Sequence, residues 1–154
     1  MIDRVLVVCV GNICRSPMAE ALLRARLGRR PRFTVSSAGV SALVGYPADP
    51  EAMALMASRG IDISGHRARQ VTPDLVALHD LVLVMERGHA AAVLAIAPQA
   101  RGKVHPIGKF GNFDVPDPYR QPRAAFEEAL RLCERGIDDY ERAFWPPALR
   151  KVHG

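Results

Sequence analysis

Lysine, aromatic residues and cysteine are all scarce in this chain of 154 residues. Only three lysines stand beside 18 arginines, and none precedes Lys103. A Walker-type nucleotide loop needs Gly-Lys-Ser/Thr, so the glycine-containing loop near the N-terminus is not one. Aromatics make up 6% of the chain, and none falls inside the densest basic cluster, Arg24, Arg26, Arg29, Arg30 and Arg32. Without a reading motif this cluster points to a solvated helix end and loop rather than to nucleic-acid binding. The net charge of +5 still suits steering of an anionic substrate. Three cysteines, an odd number, argue against a secreted disulfide framework and for a reducing cytoplasm. No apolar run approaches the ~20 residues of a spanning helix, so neither a signal peptide nor membrane insertion is expected.

What the chain does have is a 49% hydrophobic composition, which suits one compact domain over residues 1–154. A chain of this length buries roughly 70% of its unfolded surface, so its core requires no disulfide and no metal. Val5-Leu6-Val7-Val8 and Leu81-Val82-Leu83-Val84 are continuous apolar runs, the pattern of strands covered on both faces. Phe33-Thr34-Val35 reads as another strand leading into Ser36-Ser37-Ala38-Gly39, and Val104-His105-Pro106-Ile107 as an edge strand that tolerates its proline. Helices are expected from Pro17 to Gly28, from Asp49-Pro50-Glu51 to Gly60, after Thr72-Pro73-Asp74, and over Ala90–Ala97 up to Pro98. The last helix carries Phe126, Leu130, Cys133, Ile137, Tyr140 and Phe144 on one stripe. Strands alternating with helices predict an α/β fold, a three-layer sandwich around a four-stranded parallel sheet. Ligands then belong at the carboxyl ends of the strands, near a topological switch point.

The segment Cys9-Val10-Gly11-Asn12-Ile13-Cys14-Arg15-Ser16 leaves the first strand at such an end. A thiolate nucleophile at neutral pH needs stabilisation worth more than a helix dipole supplies, roughly 0.3–2 kcal/mol. Loop N–H groups, the Arg15 charge and the Ser16 hydroxyl are the available sources. Gly11 and Asn12 tolerate the unusual φ that turns amides inward. The fork of Arg15 matches phosphoryl oxygens bidentately. Cys9 and Cys14 lack the downstream Cys/His pair of a zinc site, and Gly11 alone is no dinucleotide fingerprint. On the loop alone, Cys9 as a buried structural thiol stays open.

The stretch Cys-Val-Gly-Asn-Ile-Cys-Arg-Ser-Pro-Met-Ala-Glu from Cys9 resembles the low-molecular-weight protein tyrosine phosphatase family. Ser37-Ala38-Gly39, Ala48-Asp49-Pro50, Gly65-His66, Ala68-Arg69-Gln70 and Asp117-Pro118-Tyr119 follow in the family's order, so the likeness spans nearly the whole chain. The resemblance implies a phosphoric monoester hydrolase that forms a cysteinyl phosphate and uses no metal or other cofactor. Cys9 is then the nucleophile, Arg15 the phosphate binder, and Val10, Gly11, Asn12, Ile13, Cys14 and Ser16 the rest of the phosphate-binding loop. Asp117 becomes the general acid and base; from the residues alone it is not separable from Asp114, or from a turn-forming Asp-Pro. Ser37 and His66 become supports of the loop, and Leu43 and Tyr119 the substrate wall. Read singly, His66 is more often a satisfied surface histidine, and loop packing is the alternative for Tyr119.

Two departures from eukaryotic members, Arg120 after Tyr119 and the Leu43-Val44-Gly45 loop, resemble the bacterial branch that works with capsule and exopolysaccharide tyrosine kinases. Ile13 stands where members acting on phosphoarginine tend to have Thr. The resemblance thus implies a cytoplasmic, monomeric enzyme whose partner is a phosphotyrosine protein, a bacterial tyrosine autokinase. Cys14 is close enough in sequence to guard Cys9 as a reversible disulfide. Cys133 reads as core; His79, His89, His105 and His153 read as structural or exposed. Rival readings are an arsenate reductase of the same fold, which would need further cysteines that Val82–His89 lacks, and a non-catalytic phosphotyrosine-binding module.

Overall fold

The computed structural model describes residues 2–147. Its elements are β1 (Arg4–Cys9), α1 (Arg15–Leu27), β2 (Thr34–Gly39), α2 (Pro50–Ser58), α3 (Pro73–Ala77), β3 (Leu81–Val84), α4 (His89–Ile96), β4 (Val104–Pro106) and α5 (Arg123–Phe144). The four strands form one sheet in the order β2-β1-β3-β4. Every pairing is parallel, from Arg4 opposite Thr34 up to Cys9 opposite Gly39 along the first pair. His153 lies outside the described residues.

The apolar run of β1 is buried on both sides because a strand alternates its faces. Val5, Val7 and Cys9 join a core with Met18 and Leu23 of α1, Met56 of α2, and Phe126 and Leu130 of α5. Leu6 and Val8 join the opposite core with Val76 of α3 and Val93 of α4. Each such aliphatic side chain contributes roughly 1.5–3 kcal/mol by leaving water. The result is the expected three-layer α/β sandwich. The chain leaves β1 for β2 on one side and then crosses back from β2 to β3 on the other side of β1, which opens a crevice at the carboxyl ends of β1 and β3.

Several local expectations hold, and some shift. Asp49 caps α2 by accepting from Glu51 N at 2.9 Å, and Thr72 caps α3 from Leu75 N at 3.1 Å. β2, by contrast, starts at Thr34 and runs through Gly39, so Phe33 lies before the strand and Ser36-Ser37-Ala38-Gly39 is part of it. Ser37 tolerates burial there because its hydroxyl is bonded to Asn12 and Glu20. The basic cluster is only partly solvated: Arg24 pairs with Glu20, and Arg26 bridges to Asp138 and Glu141 of α5. Phe144 leaves the buried stripe of α5 and lies exposed, stacked on Tyr140.

Candidate active site

β1, an inner strand, delivers Cys9 to the carboxyl end of the sheet, and α1 begins six residues later at Arg15. The first turn of α1 has no side-chain cap and no acidic residue, so its N–H groups and positive dipole end stay available to an anion. Cys9, Val10, Gly11, Ile13, Cys14, Arg15, Leu43, Asp117 and Tyr119, with Ser41, line one cavity of about 200 Å³. Cys9 Sγ receives the Asn12 N–H at 3.3 Å and lies 2.9 Å from Ser16 Oγ.

Asn12, Ser16, Ser37 and His66 sit outside the cavity lining, behind the loop. Asn12 is fully buried at φ 60°, a left-handed conformation that asparagine accepts better than most residues. Its Nδ2 donates to Ser16 Oγ at 2.8 Å and Ser37 Oγ at 3.0 Å, and its Oδ1 accepts from Arg69 N at 2.9 Å. His66 Nε2 holds the Asn12 carbonyl at 2.6 Å and must donate to it. With its oxygen facing the Asn12 amide, Ser16 has its own proton left for Cys9. Ser37, facing the same amide, donates to Glu20.

The two carboxylates that the sequence leaves equivalent are far apart in their bonding. Asp114 is engaged by Arg87 through N at 2.9 Å and Nε at 3.3 Å. Asp117 lines the cavity, accepts from Tyr119 N at 3.0 Å, and has Oδ2 3.8 Å from Arg15 Nη2. Arg120, at φ 62°, places its guanidinium 5.2 Å from the Tyr119 ring centre and so braces the wall. Cys14 is buried, and that burial, with the Asp49 carboxylate second, pushes its thiol far above the ordinary range. Cys133 is fully buried with Sγ 3.9 Å from Met85 Sδ, and its thiol is pushed up to about 12 by desolvation.

Glu20, Arg69 and, above all, Glu86 hold parts of the site to which the sequence alone assigns no role. Arg15, 2% exposed, donates from Nη1 to Glu86 Oε2 at 2.6 Å and to the Val115 carbonyl at 2.8 Å. His89 was expected to be structural or exposed, yet its Nε2 lies 3.1 Å from that same Glu86 oxygen. The one available signal is position: Glu86 follows β3 at the carboxyl edge where α/β sheets bind ligands. His79 is buried with Nδ1 2.7 Å from the Leu75 carbonyl, and His105 lies beside the Gly102 carbonyl at 3.1 Å.

An anion cradle with a thiol at its floor, set at the carboxyl edge of a parallel sheet, is the equipment of a cysteine-dependent phosphatase. Residues 4–144 match the family model for the low molecular weight phosphotyrosine protein phosphatase. The chain is 50% identical over 152 residues to a probable low molecular weight protein-tyrosine-phosphatase, EpsP, of Ralstonia nicotianae, covering 99% of both chains. It is 44% identical to the low molecular weight protein-tyrosine-phosphatase Wzb of Salmonella typhimurium, covering 93% of this chain and 95% of that one. The solved structure of Vibrio vulnificus Wzb in complex with benzylphosphonate superposes with a TM-score of 0.87 at 42% identity, over 93% of this chain and 99% of the other. The chain therefore belongs to the low molecular weight phosphotyrosine protein phosphatase family, and it is a protein-tyrosine phosphatase.

Proposed function

We propose that Cys9, Arg15 and Asp117 carry out phosphotyrosine hydrolysis in two steps. The observation behind this reading is the single cavity that holds Cys9, Arg15 and Asp117 between Leu43 and Tyr119. Cys9 thiolate attacks phosphorus in line while the P–O bond to tyrosine breaks and Asp117 gives its proton to the departing phenolate oxygen. Arg15 and the inward-facing loop amides hold the equatorial oxygens as their charge develops. Asp117, now a carboxylate, takes a proton from water; the water oxygen attacks phosphorus, the P–S bond breaks and inorganic phosphate leaves. The Ser16 proton eases departure of the sulfur as thiolate. Tyr119 and Leu43 flank the phenyl ring, and Ile13 in the cavity lining suits an aryl rather than a guanidino phosphate.

The protein substrate is a bacterial tyrosine autokinase of polysaccharide export, met in the cytoplasm by a monomeric phosphatase. The likeness to Wzb and EpsP proteins and the Leu43 and Arg120 loops support this assignment. Among the described residues no helix is long and apolar enough to cross a membrane.

Steady-state kcat/KM for p-nitrophenyl phosphate and for phenyl phosphate, which reports the steps up to formation of the cysteinyl phosphate, tests the roles with Cys9→Ser and Asp117→Asn beside wild type. Cys9→Ser is expected to be inactive. Asp117→Asn is expected to lose ~10²–10⁴-fold on the poor leaving group and much less on the good one. Equal loss on both removes Asp117 from the acid role.

A further inference from the structure

Arg15 is almost wholly buried, so its guanidinium needs a counter-charge that stays in place before substrate arrives. Glu86 is that charge, but its side chain is 37% exposed and sits in the turn between β3 and α4. A half-exposed carboxylate can rotate into water. His89 is what opposes that rotation here. Its backbone N–H closes the turn onto the Glu86 carbonyl at 2.9 Å, and its ring reaches back so that Nε2 lies 3.1 Å from Glu86 Oε2. The other ring nitrogen, Nδ1, is buried with no hydrogen-bond partner among the described residues. A proton on Nδ1 would be a buried, unpaired donor, so the ring proton belongs on Nε2, pointing at Glu86. Burial first, and the Arg15 charge second, hold the imidazole below its ordinary pKa, which keeps it a neutral donor.

We propose that His89 is a positioning residue for the reaction, acting through Glu86 to set the orientation of Arg15; this rests on the reading of Arg15 as the phosphate binder. With Glu86 held, both protons of Arg15 Nη1 are spoken for, one by Glu86 and one by the Val115 carbonyl. Arg15 lines the cavity, Nη2 lies 3.8 Å from the cavity-lining Asp117, and the Nε–Nη2 edge has no hydrogen bond among the described residues, so that edge is free to donate two parallel bonds to a pair of phosphoryl oxygens. His89 touches neither substrate nor the reacting atoms. Its contribution is to remove the freedom of a carboxylate that otherwise lets the fork swing.

The test measures binding of inorganic phosphate by calorimetry to His89→Ala, His89→Phe and His89→Gln, all made in the Cys9→Ser protein, with turnover of p-nitrophenyl phosphate measured in the Cys9 versions. Phe fills the site without a donor; Gln restores an N–H. Removal of the donor is expected to weaken phosphate about tenfold, the low end of what outer partners of a charged site contribute. Gln is expected to recover most of it, and His89→Phe on a Glu86→Gln background is expected to add little further loss. The leaving-group dependence that reports Asp117 is expected to stay as in wild type. Phosphate binding unchanged in the Phe variant, a Gln variant no better than Phe, or full additivity with Glu86→Gln each overturns the proposal. Because binding is read without turnover, an inactive wild type that still shows the His89 dependence refutes the catalytic roles of Cys9 and Asp117 while leaving the placement of Arg15 for phosphate by Glu86 and His89 intact.

Discussion

Asn12 Nδ2 donates to Ser16 Oγ at 2.8 Å, and this bond turns the serine proton toward Cys9 Sγ, 2.9 Å away. The nucleophile is thus governed by a side chain that never reaches the cavity. Ser16→Ala removes the donor to the sulfur and is expected to lower kcat by ~10²-fold, the usual cost of one aimed donor. Asn12→Gly keeps the left-handed backbone but removes the amide, and a similar loss is expected. The double variant is expected to lose little more than either single one. Rapid-mixing kinetics should show the effect mainly in breakdown of the cysteinyl phosphate; a full multiplicative loss would show the two residues to act separately.

Gly39 lies where the phosphate loop crosses the end of β2. A Cβ there would stand 2.3 Å from the Val10 carbonyl oxygen and 3.1 Å from Asn12 N, both rigid backbone. Gly39→Ala is therefore expected to displace the loop, with a cost of about 1–3 kcal/mol in stability and a larger loss of activity. Urea unfolding and p-nitrophenyl phosphate turnover check it together. An alanine variant with unchanged midpoint and unchanged kcat contradicts the contact.

His79 and His89 are both held below the ordinary histidine pKa, in each case first by burial. A group whose folded pKa is depressed leaves the unfolded chain binding the proton first as pH falls. Stability is therefore expected to decline below about pH 6.5, the unfolded histidine value, and to be steady above it. Urea midpoints at pH 7.5 and 5.5 avoid the carboxylate range and measure this directly. A His79→Gln, His89→Gln double variant is expected to show a smaller difference between the two pH values. An identical difference would place the pH dependence elsewhere.

Cys14 is a protonated thiol at neutral pH, because burial opposes its charge. Peroxide is therefore expected to attack Cys9 first, giving a sulfenic acid and hydroxide; the Cys14 sulfur then bonds to Cys9 and water leaves. Mass mapping after brief peroxide treatment should find the Cys9–Cys14 disulfide, and dithiothreitol should restore activity. Cys14→Ser is expected to accumulate sulfinic and sulfonic acid at Cys9 without recovery. Wild type showing over-oxidised Cys9 beside an untouched Cys14 would exclude the guard role.

The buried runs at Val5–Val8 and Leu81–Val84, and the cap-plus-proline starts at Asp49 and Thr72, were legible because each is a local pattern of burial or backbone bonding. The same holds for Cys9 to Arg15, where nucleophile, glycine, asparagine and arginine are neighbours in the chain. Ser36 and Ser37 misled because polar residues in a strand are explained only by their partners, Asn12 and Glu20 for Ser37, which lie 25 and 17 positions away.

Residue order by itself therefore determined a parallel α/β sandwich and one half of the site, a thiol and an arginine in a loop between strand and helix. Tertiary structure alone decided the rest. It gave Asp114 to Arg87 and left Asp117, the aspartate the family resemblance points to, lining the cavity, and it set Glu86, 71 positions from Arg15, against the guanidinium with His89 behind it. The reason is physical: hydrogen bonds and counter-charges act over about 3 Å of space whatever the separation along the chain, so only folding reveals which polar groups share a partner.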